Sequence, residues 1–124
     1  MERTNDLLDR TRAFALATIT FCERLPKEET GRVLGRQLLR SGTSVGANYR
    51  AACRAKSTAD FIAKMGIVVE EADESTYWLD LLSATGKCDA TKAGRLQKEA
   101  EELVAIAMAS IRTARRRTRQ AADV

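Results

Sequence analysis

Histidine is absent from this chain, and proline occurs once, at Pro26. The first absence has chemical consequences. Di-metal sites in helical bundles are built from Glu-x-x-His pairs, and thiol nucleophiles are ordinarily activated by an imidazole, so neither arrangement can be assembled here. Cys22, Cys53 and Cys88 are odd in number and more than thirty residues apart, which fits neither a disulfide framework nor a C-x-x-C site. They read as reduced thiols, two buried as small apolar residues and Cys88 on a loop. Aromatics make up 5% of the chain and turn punctuation is sparse, which disfavours a strand-rich fold. No apolar run reaches the roughly 18 residues of a membrane span. Met1 to Asp6 lack the charged-then-apolar pattern of an export signal, so a soluble, cytoplasmic protein with no membrane role is expected. The glycines are not spaced as the phosphate-cradling G-x-x-x-x-G-K loop.

What remains is apolar and charged. The chain has 124 residues, 44% hydrophobic and 31% charged, enough for one domain with one core. The formal charge is +4 and the sequence pI about 9.2, a modest cationic excess that favours anionic partners. It is uneven: Arg112, Arg115, Arg116, Arg117 and Arg119 lie in one stretch that contains no acid.

The central stretch, Gly31 to Leu82, reads as two long helices joined at Ala55-Lys56-Ser57. At roughly 100° per residue, Gly31, Gly35, Gly42 and Gly46 fall within about 60° of one another. Glycine costs about 1 kcal/mol per helix-interior position relative to alanine. Gly35, Gly42 and Gly46 are therefore assigned to close helix packing. Arg32, Arg36, Arg40, Arg50 and Arg54 occupy a neighbouring arc roughly 80° wide. Ser41-Gly42-Thr43-Ser44 resembles a turn, but both patterns resume in phase beyond it, as an unbroken helix requires.

Taken in order, four helices are predicted, over about 5–24, 27–54, 58–85 and 90–115. Asn5 or Asp6 caps the first, whose face is Leu7, Thr11, Phe14, Thr18, Phe21, Cys22 and Leu25. Pro26 to Glu29 suit the first turn of the second, which buries Leu34, Leu38, Val45, Tyr49 and Ala52. Ser57 and Asp60 form a capping box for the third, with Phe61, Met65, Val68, Val69, Ala72, Thr76, Leu79 and Leu82 inward. Gly86 ends it in the left-handed conformation. Asp89 caps the fourth, with Leu96, Ala100, Leu103, Ala107, Ile111 and Ala114 inward and Lys98, Glu99, Glu101 and Glu102 towards water. Residues 116–124 are expected as a disordered basic tail. Short loops between amphipathic helices give an all-α, antiparallel up-and-down four-helix bundle.

Several clusters carry candidate chemistry. Glu70, Glu71, Asp73 and Glu74 could serve as metal ligands or acid–base groups, but no nucleophile or histidine accompanies them. Ion pairing of Glu70 and Glu74 with Arg36, Arg40, Arg50 or Arg54, between helices or between subunits, accounts for them better. Asn48 could orient a ligand or satisfy a buried backbone group. Ile67, Tyr77, Trp78 and Leu81 mix with these acids on the side of helix three away from its core; because phosphate would be repelled there, a subunit interface is expected. Arg112, Arg115, Arg116, Arg117 and Arg119 are the candidate nucleic-acid contacts, set against the alternative of arginines that merely complement a helix C-terminus.

Leu25 to Glu29, Gln37 to Ala52 with its Ser-Gly-Thr-Ser-Val-Gly-Ala-Asn run, Asp60-Phe61, and Glu70 to Leu79 resemble the four helix bundle protein family, also called the 23S rRNA intervening-sequence protein family. The resemblance covers roughly residues 7 to 112. It implies an up-and-down bundle assembled as a ring-shaped homopentamer, with no catalysis established. More distantly the chain is similar to accessory proteins of diversity-generating retroelements, basic pentamers that bind a reverse transcriptase and nucleic acid. The function expected is a non-enzymatic, cofactor-free homo-oligomeric scaffold that binds RNA, DNA or a nucleic-acid-processing protein through basic patches. The alternative is a protein-interaction module with no nucleic-acid role.

Overall fold

The computed structural model describes residues 6–122, which form α1 (Asp6–Glu23), α2 (Glu29–Cys53), α3 (Thr58–Ala84) and α4 (Ala90–Ala122), with no strand among the described residues. Connections of four or five residues oblige successive helices to run antiparallel. The expected up-and-down bundle is thus the architecture found. α2 packs extensively on α3, α3 on α4 and α1 on α2, while α1 and α4 touch least.

Local chemistry sets the ends. Ser57 accepts the Asp60 amide at 3.0 Å, and the Asp60 carboxylate accepts the amide of Lys56, one residue before the cap. Gly86, at φ 68°, donates to Ser83 O while Lys87 donates to Leu82 O, a Schellman closure that needs a left-handed residue. Asp89 Oδ1 accepts the amides of Thr91 and Lys92 at 2.9 and 3.1 Å, capping α4. α2 begins two residues later than expected. Pro26 stays outside it, and the extended Glu28 is the N-cap, its carboxylate accepting the Gly31 amide at 3.4 Å. Asn5, the other possible cap for α1, lies outside the described residues.

α2 runs unbroken through Ser41 to Ser44, and its glycine stripe seats α1, through Gly42 and Gly46, and the connection that follows α1, through Gly31 and Gly35. A Cβ on Gly42 would stand 2.7 Å from Thr18 Cγ2, one on Gly46 3.3 Å from Thr11 Oγ1, one on Gly35 2.9 Å from Leu25 Cδ1, and one on Gly31 2.3 Å from the Pro26 carbonyl oxygen. Thr11 and Thr18 are buried in consequence. Thr18 Oγ1 has no hydrogen-bond partner among the described residues. It would lie 3.0 Å from a Cβ on Gly42, so only the glycine hydrogen leaves room for it.

The core holds Phe14, Phe21, Leu38, Val45, Met65, Val68, Leu79, Leu82, Leu96 and Leu103, with Ala52, Ala72, Ala93, Ala100 and Ala107 where helices approach closely. Between α2 and α3 it also encloses a polar pair. Ser41 Oγ and Ser75 Oγ lie 2.8 Å apart, and Ser75 Oγ is 2.9 Å from Glu71 O. If Ser41 donates to Ser75, which donates to Glu71 O, both hydroxyls are satisfied.

Three expectations are corrected. α4 does not end near residue 115 in a disordered tail but continues as helix to Ala122. Beyond residue 115 its residues are Arg, Thr, Gln and Ala, with neither glycine nor proline to stop it, so a helix already nucleated upstream propagates without an apolar stripe. Cys53 is exposed, because it faces away from the core that its neighbour Ala52 enters, whereas Cys22 and Cys88 are half-buried. Glu99 does not simply face water: the Arg10 guanidinium donates from Nε and Nη2 to its two oxygens at 3.1 and 2.8 Å, and from Nη2 to Glu102 at 2.9 Å. That fork bridges α1 and α4.

Candidate nucleic-acid interface

Antiparallel packing brings the C-terminus of α2, the N-terminus of α3 and the C-terminus of α4 to one end of the bundle. There an open cleft of about 430 Å³ is lined by Cys53, Lys56, Thr58 and Phe61 on one side and by Ala114 and Arg117 on the other. Arg50, Arg54 and Lys56 thus join Arg112, Arg115, Arg116, Arg117 and Arg119 at one pole, and all eight are exposed. None of the eight has a carboxylate partner among the described residues. Nearby, Asp60 is engaged by Lys64 at 2.6 Å, which lowers its pKa, chiefly through that bond and then through the Lys56 amide. Asp9 lines the adjoining α1–α2 groove with Arg12 and Arg50, so the α4 side is the more purely cationic.

The arginines of α2 therefore divide. Arg40 pairs with Glu71 at 3.2 Å and also with Glu74, across α2 and α3, as expected for Glu74; Glu71 is the partner the sequence did not single out. Arg36 and Glu70 form no ion pair among the described residues, and neither do Arg50 and Arg54. Burial pushes the Glu74 carboxyl up, but the Trp78 indole N–H, donating at 3.0 Å, and the Arg40 guanidinium outweigh it, and the net shift is downward. Asn48 Nδ2 donates to Ser44 O at 2.8 Å, one turn back on its own helix, which is the backbone role.

On α3, Tyr77 stands edge-on to Trp78 with ring centroids 5.0 Å apart. Ile67 and Tyr77 are exposed, at 39% and 56%, while Trp78 and Leu81 are half-buried. Tyr77, Trp78 and Leu81 lie far from the basic pole. Nineteen residues separate Thr58 from Tyr77, about 28 Å of helix. Among the described residues no group of three His, Cys, Asp or Glu side chains is placed to hold a metal ion. Among the same residues no helix is long and apolar enough to cross a membrane.

Fold and site define an all-α bundle with eight exposed cations, none in a salt bridge among the described residues, gathered at one pole. A family model described as 23S rRNA-intervening sequence protein matches residues 3–109, most of the chain. The chain belongs to that family, as its central motifs suggested. It is similar to a crystal structure from Bacteroides thetaiotaomicron VPI-5482, described as a protein with unknown function from the S23 ribosomal protein family. That chain is 36% identical, the TM-score is 0.79, and the match covers 84% of this chain and 96% of that one. No curated protein matches. The family match stops at residue 109, before Arg112, so the arginine cluster lies outside it.

Proposed function

We propose that the protein is a non-enzymatic, homo-oligomeric scaffold that binds nucleic acid, or a nucleic-acid-processing protein, through its basic pole. The observation that carries this reading is the convergence of Arg50, Arg54 and Lys56 with the five arginines of α4, all exposed and without carboxylate partners among the described residues. Phosphate-dominated binding needs such unneutralised charge and little else. Assembly as a homopentamer is supported by the resemblance of the central motifs and by the exposed Ile67 and Tyr77 on α3. A ring would repeat the basic pole and convert weak contacts into avidity.

The same exposed α3 face favours one other reading, a protein-interaction module with no nucleic-acid role. Salt and truncation separate the two. Retention of mixed RNA or DNA should fall steeply between 50 and about 200 mM salt. It should vanish when residues 112–124 are removed, with the elution volume and helicity of the remainder preserved. Retention that ignores both salt and the truncation overturns the nucleic-acid reading and favours the other.

A further inference from the structure

The arginines of the last turns of α4 are not scattered around it. Arg112, Arg115, Arg116 and Arg119 follow i, i+3, i+4, i+7 spacing and share an arc of about 100°. That arc lies on the side away from the buried Leu96, Ala100, Leu103 and Ala107. Along the axis they span about 10 Å. Every residue from Arg115 to Ala122 is exposed. Arg117 still shares a cleft with Thr58 and Phe61, and beyond it α4 continues through residues 118–122. The basic face is therefore carried by a helical rod that reaches the limit of the bundle and runs on.

Three anionic surfaces can be told apart by what else they demand. A membrane surface needs a large apolar face beside the basic one, and after Ile111 α4 offers only alanine, threonine, glutamine and arginine. Single strands are held by basic grooves interleaved with aromatic platforms. α4 contains no aromatic residue, Phe61 in the Arg117 cleft is half-buried against the core, and Tyr77 and Trp78 lie among carboxylates about 28 Å along α3 from its first residue. A B-form duplex demands neither. Its major groove, about 12 Å wide, admits an α-helix of similar diameter and has phosphates along both rims. An A-form RNA duplex closes the same groove to a deep, narrow slot.

We propose that α4 from Arg112 to Arg119 lies in the major groove of double-stranded DNA, its arginines reaching phosphates on both sides while Arg54 and Lys56 meet the flanking backbone. This rests on the nucleic-acid reading above and narrows it. Contacts confined to phosphate carry no sequence information, so recognition is of duplex form.

The test uses the full chain, anisotropy titrations, and three probes: a DNA duplex of about two helical turns, an RNA duplex of the same sequence, and one DNA strand alone. The DNA duplex should bind at least about tenfold tighter than either other probe, and log K should fall with log salt at about 0.9 per phosphate contact. Replacing Arg112, Arg115, Arg116 and Arg119 together by alanine should lower that slope by three to four, or abolish binding, with helicity retained. Arg115→Ala and Arg119→Ala singly, both on exposed positions, should each lower it by about one. Lys98→Ala, on the same arc about 21 Å up the helix, should leave it unchanged. Absence of binding to all three probes overturns both this inference and the function it rests on. Equal or tighter binding of the single strand or the RNA duplex leaves the nucleic-acid reading standing and overturns the groove. An unchanged slope in the arginine variants overturns the assignment to α4.

Discussion

Gly42 and Gly66 are both helix-interior glycines, and replacing each by alanine should move stability in opposite directions. In an unconstrained helix the change gains about 1 kcal/mol of propensity. At Gly66 and Gly94 a new Cβ meets nothing within 4 Å, so Gly66→Ala and Gly94→Ala should stabilise by roughly that amount. At Gly42 the same methyl arrives 2.7 Å from Thr18 Cγ2 and 3.2 Å from Thr18 Cβ. Thr18 is fully buried and β-branched, so it has no free rotamer into which to retreat, and α1 itself must shift. Overpacking of this kind costs about 1–3 kcal/mol. Against the propensity gain the net loss is about 0–2 kcal/mol, leaving Gly42→Ala about 1–3 kcal/mol below Gly66→Ala. At about 4 °C per kcal/mol, that separates their melting temperatures by about 4–12 °C. The measurement is thermal and urea denaturation by circular dichroism at one protein concentration, because any self-association makes Tm depend on concentration. Thr18→Ala, which removes the methyl and the unpartnered hydroxyl, should recover part of the loss in the Gly42→Ala background, with a coupling above about 0.5 kcal/mol. A Gly42→Ala variant that gains stability alongside Gly66→Ala would refute the close crossing of α1 on α2.

Two further outcomes follow from the side-chain environments. The Glu74 carboxyl is held below its ordinary value, so the stability it confers is present above a pH of about 4.3 and fades as pH falls through the lowered folded-state value. Glu74→Gln should flatten the acid limb of a stability-versus-pH curve, and a limb identical to the parent's would show that the Trp78 and Arg40 contacts contribute nothing. Burial, and then the Glu23 charge, push the Cys22 thiol up to about 11, whereas Cys53 is exposed. Alkylation near pH 8 should modify Cys53 well before Cys22, as read by peptide mass mapping, and equal rates would contradict the burial.

The amphipathic stripes were legible because each interior position recurs with the helical period, and so were the glycines, whose cost in a helix demands a packing reason. Capping was legible at Ser57, Gly86 and Asp89, where side chain or φ is specific to the role. At Glu28 it was not, since glutamate is a weak N-cap signal beside a proline that suits a helix start. The pairing of Arg10 with Glu99 and Glu102 joins the first and last helices, and no local pattern encodes a contact that distant. The path of α4 beyond Ala114 was misread because an apolar stripe reports burial, and a helix that nothing covers has none to show. Of the candidate site, the cation run was visible in sequence. Its convergence with Arg50, Arg54 and Lys56 is a product of topology.

The bundle resists separation unevenly around its circumference. Three of its seams are tightly packed, whereas the meeting of α1 with α4 is the thinnest and is bridged by the Arg10 fork to Glu99 and Glu102. Those charges are about a third or more exposed, so counter-ions can compete for them. Rising ionic strength should therefore loosen this one edge while leaving the others closed, and the first helix would swing out still seated on the bare glycines of its neighbour.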